Sequence, residues 1–207
     1  VTDGGVVVGG LAHGADADDD VPVDPLALAA RWLPAPGSGG TPTMTLSTIG
    51  LDGYPAARTV LMSLFDGRRV HFHTDSRSRK AAEIAAVPRA TVTLVWPELA
   101  RQLVVTGDVE RVTDREARDA YTARSRYLQV LAWLNDDDLA AVEADHRRTR
   151  WAAFDADRPD LDPPTTWAGY AITPVRMVFW RGAADAPSNR LRYDRTDAGW
   201  TVARAAG

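Results

Sequence analysis

The chain has no cysteine. Disulfides, thiolate metal sites and cysteine nucleophiles are excluded together, and the absence fits a reducing cytoplasm. No apolar run approaches the roughly 20 residues that span a bilayer, and the first residues lack the basic and apolar regions of a secretory signal. A cytoplasmic protein without a membrane partner is therefore expected. Positive charge is not in excess either: 24 Lys and Arg against 28 Asp and Glu leave a formal net charge of −4. Nothing global favours nucleic acid, so an anion site has to be local. Walker loops, nucleophile elbows and HExxH are all missing, and "GSGG" at residues 37–40 follows no strand and opens no helix, so it reads as a linker.

What remains is ordinary globular material. Of 207 residues, 45% are hydrophobic and 25% charged, enough for one good core. Residues 1–22, rich in glycine and aspartate and without periodicity, predict a flexible acidic tail ahead of a single domain spanning 23–207. "DPLALAARWL" reads as a helix, with Asp24 as N-cap and Pro25 at the first helical position. Strands follow: "TMTLSTI" closed by the Asp52-Gly53 turn, "AARTVLMSLF" closed by Asp66-Gly67, then "RRVHFHT". A short helix after Ser78 stops near Pro88, and the strands "ATVTLVW" and "RQLVVTGDVERV" come next. Thr113 and Glu116 form a capping box for a helix in "TDREARDAYTAR". Another helix is predicted over "DDLAAVEADHRRTRWAAF", capped from the Asp136–Asp138 run. Strands return in "WAGYAIT", "RMVFWRG", "NRLRYDR" and "GWTVAR". Many strands, tight turns and few helices predict a mainly β, α+β architecture: a small antiparallel barrel with peripheral helices.

Thr74, Ser76, Arg77, Ser78, Arg79 and Lys80 form a knot of hydroxyls and cations where a strand gives way to a helix. A helix N-terminus already presents free N–H groups and a positive dipole end, so cations added there need an anion. Hydroxyls with Arg79 and Lys80 suit a phosphate; a solvated basic loop is the plainer reading of this stretch taken alone. Arg58 favours the phosphate, because it lies inside an apolar strand where an unpaired guanidinium is costly to bury. His71 and His73 share a strand face at the spacing of a metal pair, but no carboxylate or third histidine stands nearby in sequence. A structural role, and no metal, is expected for them. Trp180 ends a strand and could wall a planar ligand, although core packing is the ordinary fate of a tryptophan.

Taken together, "RTVLMS", "HTDSRSRKAAEI", "PRATVTLVWPELARQLVVTGDVERV", "GYAITPVRMVFWRG" and "NRLRYDR…GWTVAR" resemble the pyridoxamine 5′-phosphate oxidase family, in order, from about Asp24 to the C-terminus. The resemblance implies an FMN-binding split β-barrel with peripheral helices, working as a homodimer with FMN at the subunit interface. It carries the family's flavin contacts onto Arg58, onto the backbone of Thr59, Val60 and Leu61, and onto the His73-Thr74 pair. Arg79 and Lys80 fall on the phosphate grip, and Gln102, Trp180 and Arg190 on the remaining contacts. The apolar "YLQVLAWL" suits a dimer interface. The family's glutamine-serine pair after "AW" is absent, since "LNDDD" follows Trp133.

The substrate side departs further from the family. Ser63 stands in place of a lysine, and Leu128 in place of a serine. Tyr121 precedes Arg124 by three residues where the family's pair is four apart. "APSNR" puts Ala186 and Ser188 where an arginine and a histidine face substrate. At about 1.5–3 kcal/mol for each hydrogen bond to a charged group, such losses weaken a phosphate site. Ser63, Tyr121, Arg124 and Ser188 thus form the expected substrate set, and no general base stands out. The expected function is an FMN-dependent oxidase, with O2 or another electron acceptor, acting on a different or less phosphorylated ring such as a dihydrophenazine-type precursor. Two alternatives stay open: a genuine pyridoxamine 5′-phosphate oxidase of vitamin B6 metabolism, and a non-catalytic barrel holding flavin, deazaflavin or haem.

Overall fold

A computed structural model describes residues 21–34 and 42–207. Helix α1 (Pro25–Trp32) begins as expected: the Asp24 side chain accepts from the Leu26 N–H at 2.9 Å. Strands β1 (Thr43–Ile49), β2 (Pro55–Leu61), β3 (Leu64–Phe65) and β4 (Val70–Asp75) lead to helix α2 (Arg79–Ala86). Strands β5 (Arg89–Trp96) and β6 (Arg101–Arg111) come next, then helices α3 (Asp114–Thr122), α4 (Arg126–Leu134), α5 (Asp137–Ala140) and α6 (Ala144–Asp157). The long β7 (Trp167–Arg181), β8 (Asn189–Thr196) and β9 (Gly199–Ala206) close the chain. The two glycine turns sit where the sequence puts them, with Gly53 and Gly67 at φ of 83° and 84°.

All nine strands join one antiparallel, curled sheet in the order β2-β1-β5-β6-β7-β4-β3, with β8 on β7 and β9 on β8. The division of the sheet lies in β7. Its first half, Trp167–Ile172, pairs with β4, and its second half, Arg176–Arg181, pairs with β8, while β6 runs along the other edge of both. Pro174 stands between the halves and has no N–H to donate, which lets the two partners diverge. Opposite it β6 bulges between Thr106 and Gly107, and a Cβ on Gly107 would lie 2.1 Å from the Thr173 carbonyl oxygen. Only glycine permits that approach.

Alternation fills the barrel. Met44 and Leu46 of β1, Val92 and Leu94 of β5, and Leu103 and Val105 of β6 point inward, onto Phe72, Met177, Phe179 and Tyr193. Helix α1 closes one end with Leu28 and Ala29, and Trp32 meets Phe179 edge-on at 5.2 Å. A smaller core of Val112, Ala117, Tyr121, Trp167 and Ala171 holds α3 against β7. The Thr113/Glu116 capping box is present.

Three expectations are corrected. "AARTVLMSLF" is not one strand: the Met62 N–H bonds Pro42 O and the Ser63 N–H bonds His71 O, each at 2.8 Å, so the chain changes partners there. "WAGYAIT" and "RMVFWRG" are one strand, continuous through Pro174. The helix expected over "DDLAAVEADHRRTRWAAF" is two, α5 and α6, with Asp136 capping the first through the Leu139 N–H at 2.7 Å; α4 was not anticipated. The tail predicted over 1–22 falls outside the described residues except at its end, where Val21 packs on the core and the Tyr193 hydroxyl donates to Pro22 O at 2.9 Å. Among the described residues no helix is long and apolar enough to cross a membrane.

Candidate functional site

The cation knot folds into a cradle around one carboxylate. Glu83, on the inner face of α2, is fully buried. It accepts from the Thr48 hydroxyl at 2.6 Å, from Arg58 at 2.5 Å and from the Arg79 Nε at 2.9 Å. Burial alone would raise its pKa; the donors from Thr48, Arg58 and Arg79 outweigh burial and hold it below the ordinary value. Arg58 also donates to the Thr48 hydroxyl at 2.5 Å and to Leu46 O at 3.4 Å. The premise that Arg58 is unpaired is therefore wrong: its counter-ion is Glu83, contributed by a helix that begins 21 residues later.

The other members of the knot differ in what they have left to offer. Arg77 turns to Asp75 and forms a double hydrogen bond with it. Arg79 is exposed and touches Asp52 of the β1–β2 turn at 3.5 Å. Lys80 donates to the Thr74 hydroxyl at 3.0 Å, and desolvation, then the charge of Arg58, push its pKa down. Ser78, the N-cap of α2, makes no side-chain capping bond and lies 3.5 Å from the Thr74 hydroxyl. Lys80, Thr74, Ser78 and the start of α2 thus offer a cation, hydroxyls and helix N–H groups that suit a phosphate. Among the described residues β2 ends the sheet, which leaves one edge of Thr59, Val60 and Leu61 without a strand partner there.

A second cluster forms around Trp167, a residue the sequence reading passed over. His73 stacks on it with ring centres 5.2 Å apart and planes 9° from parallel, and the Arg124 guanidinium lies 4.4 Å from the ring centre. Tyr121 meets the same indole edge-on at 5.5 Å. The His73 Nδ1 is 2.8 Å from the Ser63 hydroxyl, while its Nε2 is buried without a hydrogen-bond partner among the described residues. Burial first, and the neighbouring Arg124 second, lower the His73 pKa to about 4, so the ring is neutral at pH 7. Burial also lowers Arg124, to about 10. Its only hydrogen bond among the described residues is a long one, 3.5 Å, to Leu128 O. Ser63, His73 and Arg124 are thus brought together. Tyr121 is not available to a ligand: it is 1% exposed and its hydroxyl donates to Gln129 O at 3.2 Å.

His71, beside this cluster, meets the carboxylate that the sequence reading did not find nearby. Its Nε2 is 2.8 Å from Asp66 Oδ2. Desolvation would raise Asp66, yet the bonds from His71 and from the backbone of Arg69 and Arg68 bring it down to about 2. No group of three or more potential metal ligands occurs among the described residues.

The remaining candidates form a third set, on β6, β7 and β8. Gln102, Trp180 and Arg190 face one another in one rung across β6, β7 and β8. Trp180 and Ser188 line an open groove of about 490 Å³ with Trp96, Ala100 and Arg101. No hydrogen bond or ring contact among the described residues joins this rung to the cradle or to the Trp167 cluster. Ser188 makes no hydrogen bond to Ser63 or Arg124 among the described residues.

Residues 39–179 match the family model described as pyridoxamine 5′-phosphate oxidase, and residues 167–206 match that of the pyridoxine 5′-phosphate oxidase C-terminal dimerisation region. A pyridoxine/pyridoxamine 5′-phosphate oxidase of Caulobacter vibrioides is 37% identical over 186 residues, covering 87% of this chain and 84% of the relative. One from Pseudomonas entomophila is 33% identical over 201 residues, with 92% of each chain covered. Among solved structures, PhzG from Burkholderia lata 383 in complex with tetrahydrophenazine-1-carboxylic acid superposes with a TM-score of 0.82 at 27% identity, over 96% of this chain and all of that one. With its split sheet, and with family matches running from residue 39 to residue 206, the chain belongs to the pyridoxamine 5′-phosphate oxidase family.

Proposed function

We propose that the protein is an FMN-dependent oxidase of pyridoxine and pyridoxamine 5′-phosphate that acts as a homodimer. The observation that carries the substrate reading is Arg124. A guanidinium largely removed from water, on a ring face and with no carboxylate partner among the described residues, needs an anion to complete it. The relatives at 33–37% identity are named for substrates that carry such an anion. This reading displaces the expectation of a less phosphorylated ring. That expectation counted the missing lysine and serine but not the desolvation that strengthens the arginine left behind.

FMN fits the residues present. Lys80, Thr74, Ser78 and Arg79 would hold its phosphate, the open edge of β2 its ribityl and ring polar groups, and Gln102, Trp180 and Arg190 the rest of the isoalloxazine. Trp180 and Arg190 of the rung lie inside the dimerisation-region match, which supports a site completed by two subunits. When bound, FMN would supply the two-electron acceptor and pass the electrons on to O2 or another oxidant. The chain's own part is to hold the substrate still. Arg124 would grip the phosphate, and neutral His73 would aim the Ser63 hydroxyl without adding charge.

The test is anaerobic. Pyridoxine or pyridoxamine 5′-phosphate mixed with FMN-loaded protein should bleach the flavin absorbance within one turnover, and air should restore it. Unchanged absorbance with both esters would overturn the reading. One observation favours a second substrate class: the PhzG superposition, together with apolar Leu128 and Ala186 where the family is polar. Arg124 would then take the carboxylate of a reduced phenazine precursor. Bleaching by that compound and not by the esters would select this second reading.

A further inference from the structure

We infer that Glu83 is the positioning residue of the phosphate cradle; the inference rests on the FMN reading above. Arg58 and Arg79 both pair with this one buried carboxylate, while Lys80 stands close by and Asp52 meets Arg79 at 3.5 Å on its exposed side. The geometry carries the inference. Both carboxylate oxygens are used: Oε1 by Arg79, and Oε2 by Arg58 and the Thr48 hydroxyl. Each guanidinium therefore has one edge tied down and its other N–H groups held at a set angle. Arg79, 65% exposed, would otherwise sample many rotamers, and ordering a long cation at the moment of binding costs affinity. Arg58, without Glu83, would be a half-buried cation facing only Thr48 and backbone carbonyl oxygens.

A residue that only props up the fold would affect stability and leave ligand preference alone. Glu83 fixes Arg79, which would meet the phosphate, and is itself anchored by Arg58 and Thr48, so it sets the preference for FMN over riboflavin, which has no phosphate.

The experiment titrates flavin-free 207-residue chain with FMN and with riboflavin, following flavin fluorescence, for wild type and for Glu83→Gln, Glu83→Asp and Thr48→Val. Glu83→Gln keeps the shape and removes the charge. Glu83→Asp keeps the charge but is one methylene too short to reach both arginines. Thr48→Val removes one donor to Glu83 and leaves every charge in place. We expect the FMN-to-riboflavin preference to fall by about tenfold or more in both Glu83 variants, and several-fold in Thr48→Val, with riboflavin affinity unchanged. A preference that is unchanged or increased in the folded variants overturns the role of Glu83; an increase would mean that the carboxylate competes with phosphate for the cations. If Glu83→Gln does not fold, the Asp and Thr48 variants decide by the same ratio. Wild-type protein that binds FMN and riboflavin equally would instead overturn the cofactor reading on which the inference stands.

Discussion

Two arginines in this protein are drawn out of water in opposite ways. Arg58 has a buried carboxylate at 2.5 Å, a threonine hydroxyl and backbone carbonyl oxygens around it. Arg124 has an indole face at 4.4 Å and a single long hydrogen bond. The first is electrostatically complete before any ligand arrives. The second is held in place but not neutralised, since a ring face contributes only about 0.5–2 kcal/mol to a cation. The difference separates structure from recognition: a satisfied cation organises its surroundings, whereas an unsatisfied one waits for an anion.

Removing the unsatisfied cation should have the largest effect. Arg124→Met is expected to lower kcat/KM for pyridoxine 5′-phosphate by about 10²-fold or more, from the loss of a bidentate, desolvated contact. FMN affinity should stay as in wild type. Steady-state kinetics and a flavin titration measure the two, and an equal loss of FMN binding would erase the distinction between the clusters.

The neutral side of the Trp167 cluster can be tested by pH. The His73 pKa of about 4 in the folded protein lies below the ordinary 6.5, so the unfolded chain binds the extra proton first as pH falls. Stability is thus full above pH 6.5 and declines between 6.5 and about 4, by on the order of 3 kcal/mol at most. Asp66 loses its contribution in a separate, lower window, between its ordinary 3.8 and about 2. Denaturant melts across this range should show the upper decline in wild type and lack it in His73→Phe, which keeps a ring on Trp167. A slope that survives in the variant would assign the titration elsewhere.

At the cradle, the double variant Arg79→Ala with Lys80→Ala should weaken FMN by at least tenfold and riboflavin little. Part of Arg79's contribution is lost to solvent screening, which makes this effect smaller than that at Arg124. Equal weakening of both flavins would make the cradle a structural feature only.

Tyr121→Phe should show the smallest change. The variant loses one hydrogen bond to Gln129 O, about 1 kcal/mol of stability, and its KM for substrate should not move. A raised KM would return Tyr121 to the substrate set and narrow the contrast with Arg124.

The parts of the fold legible in the sequence are those coded by neighbours. Asp24 before Pro25, Thr113 before Glu116, and the Asp-Gly pairs at 52–53 and 66–67 each act within a few residues, and each is found as read. The strand segments "TMTLSTI", "ATVTLVW" and "RQLVVTGDVERV" are found as β1, β5 and β6. The break at Met62-Ser63 escaped notice because it comes from a change of partner strand, not from a turn residue. Helix α4 escaped because "YLQVLAWL" was read for its apolarity as a dimer contact. Ser125 stands at its N-cap, but the side chain makes no capping bond.

The candidate site divides along the same line. The sequence by itself determined which residue types were present: the Arg79-Lys80 pair at a helix start, the lone Arg58, and Arg124 without its family companions. Their partners were decided only by the tertiary structure. Glu83 lies 25 residues from Arg58 and 35 from Thr48 along the chain, and Trp167 comes to His73 only because β7 pairs with β4. A local motif can bring a charge to the right neighbourhood. Whether it is neutralised there or left open depends on what distant strands and helices pack around it, because burial sets the cost of the charge and the nearest counter-ion sets its remedy.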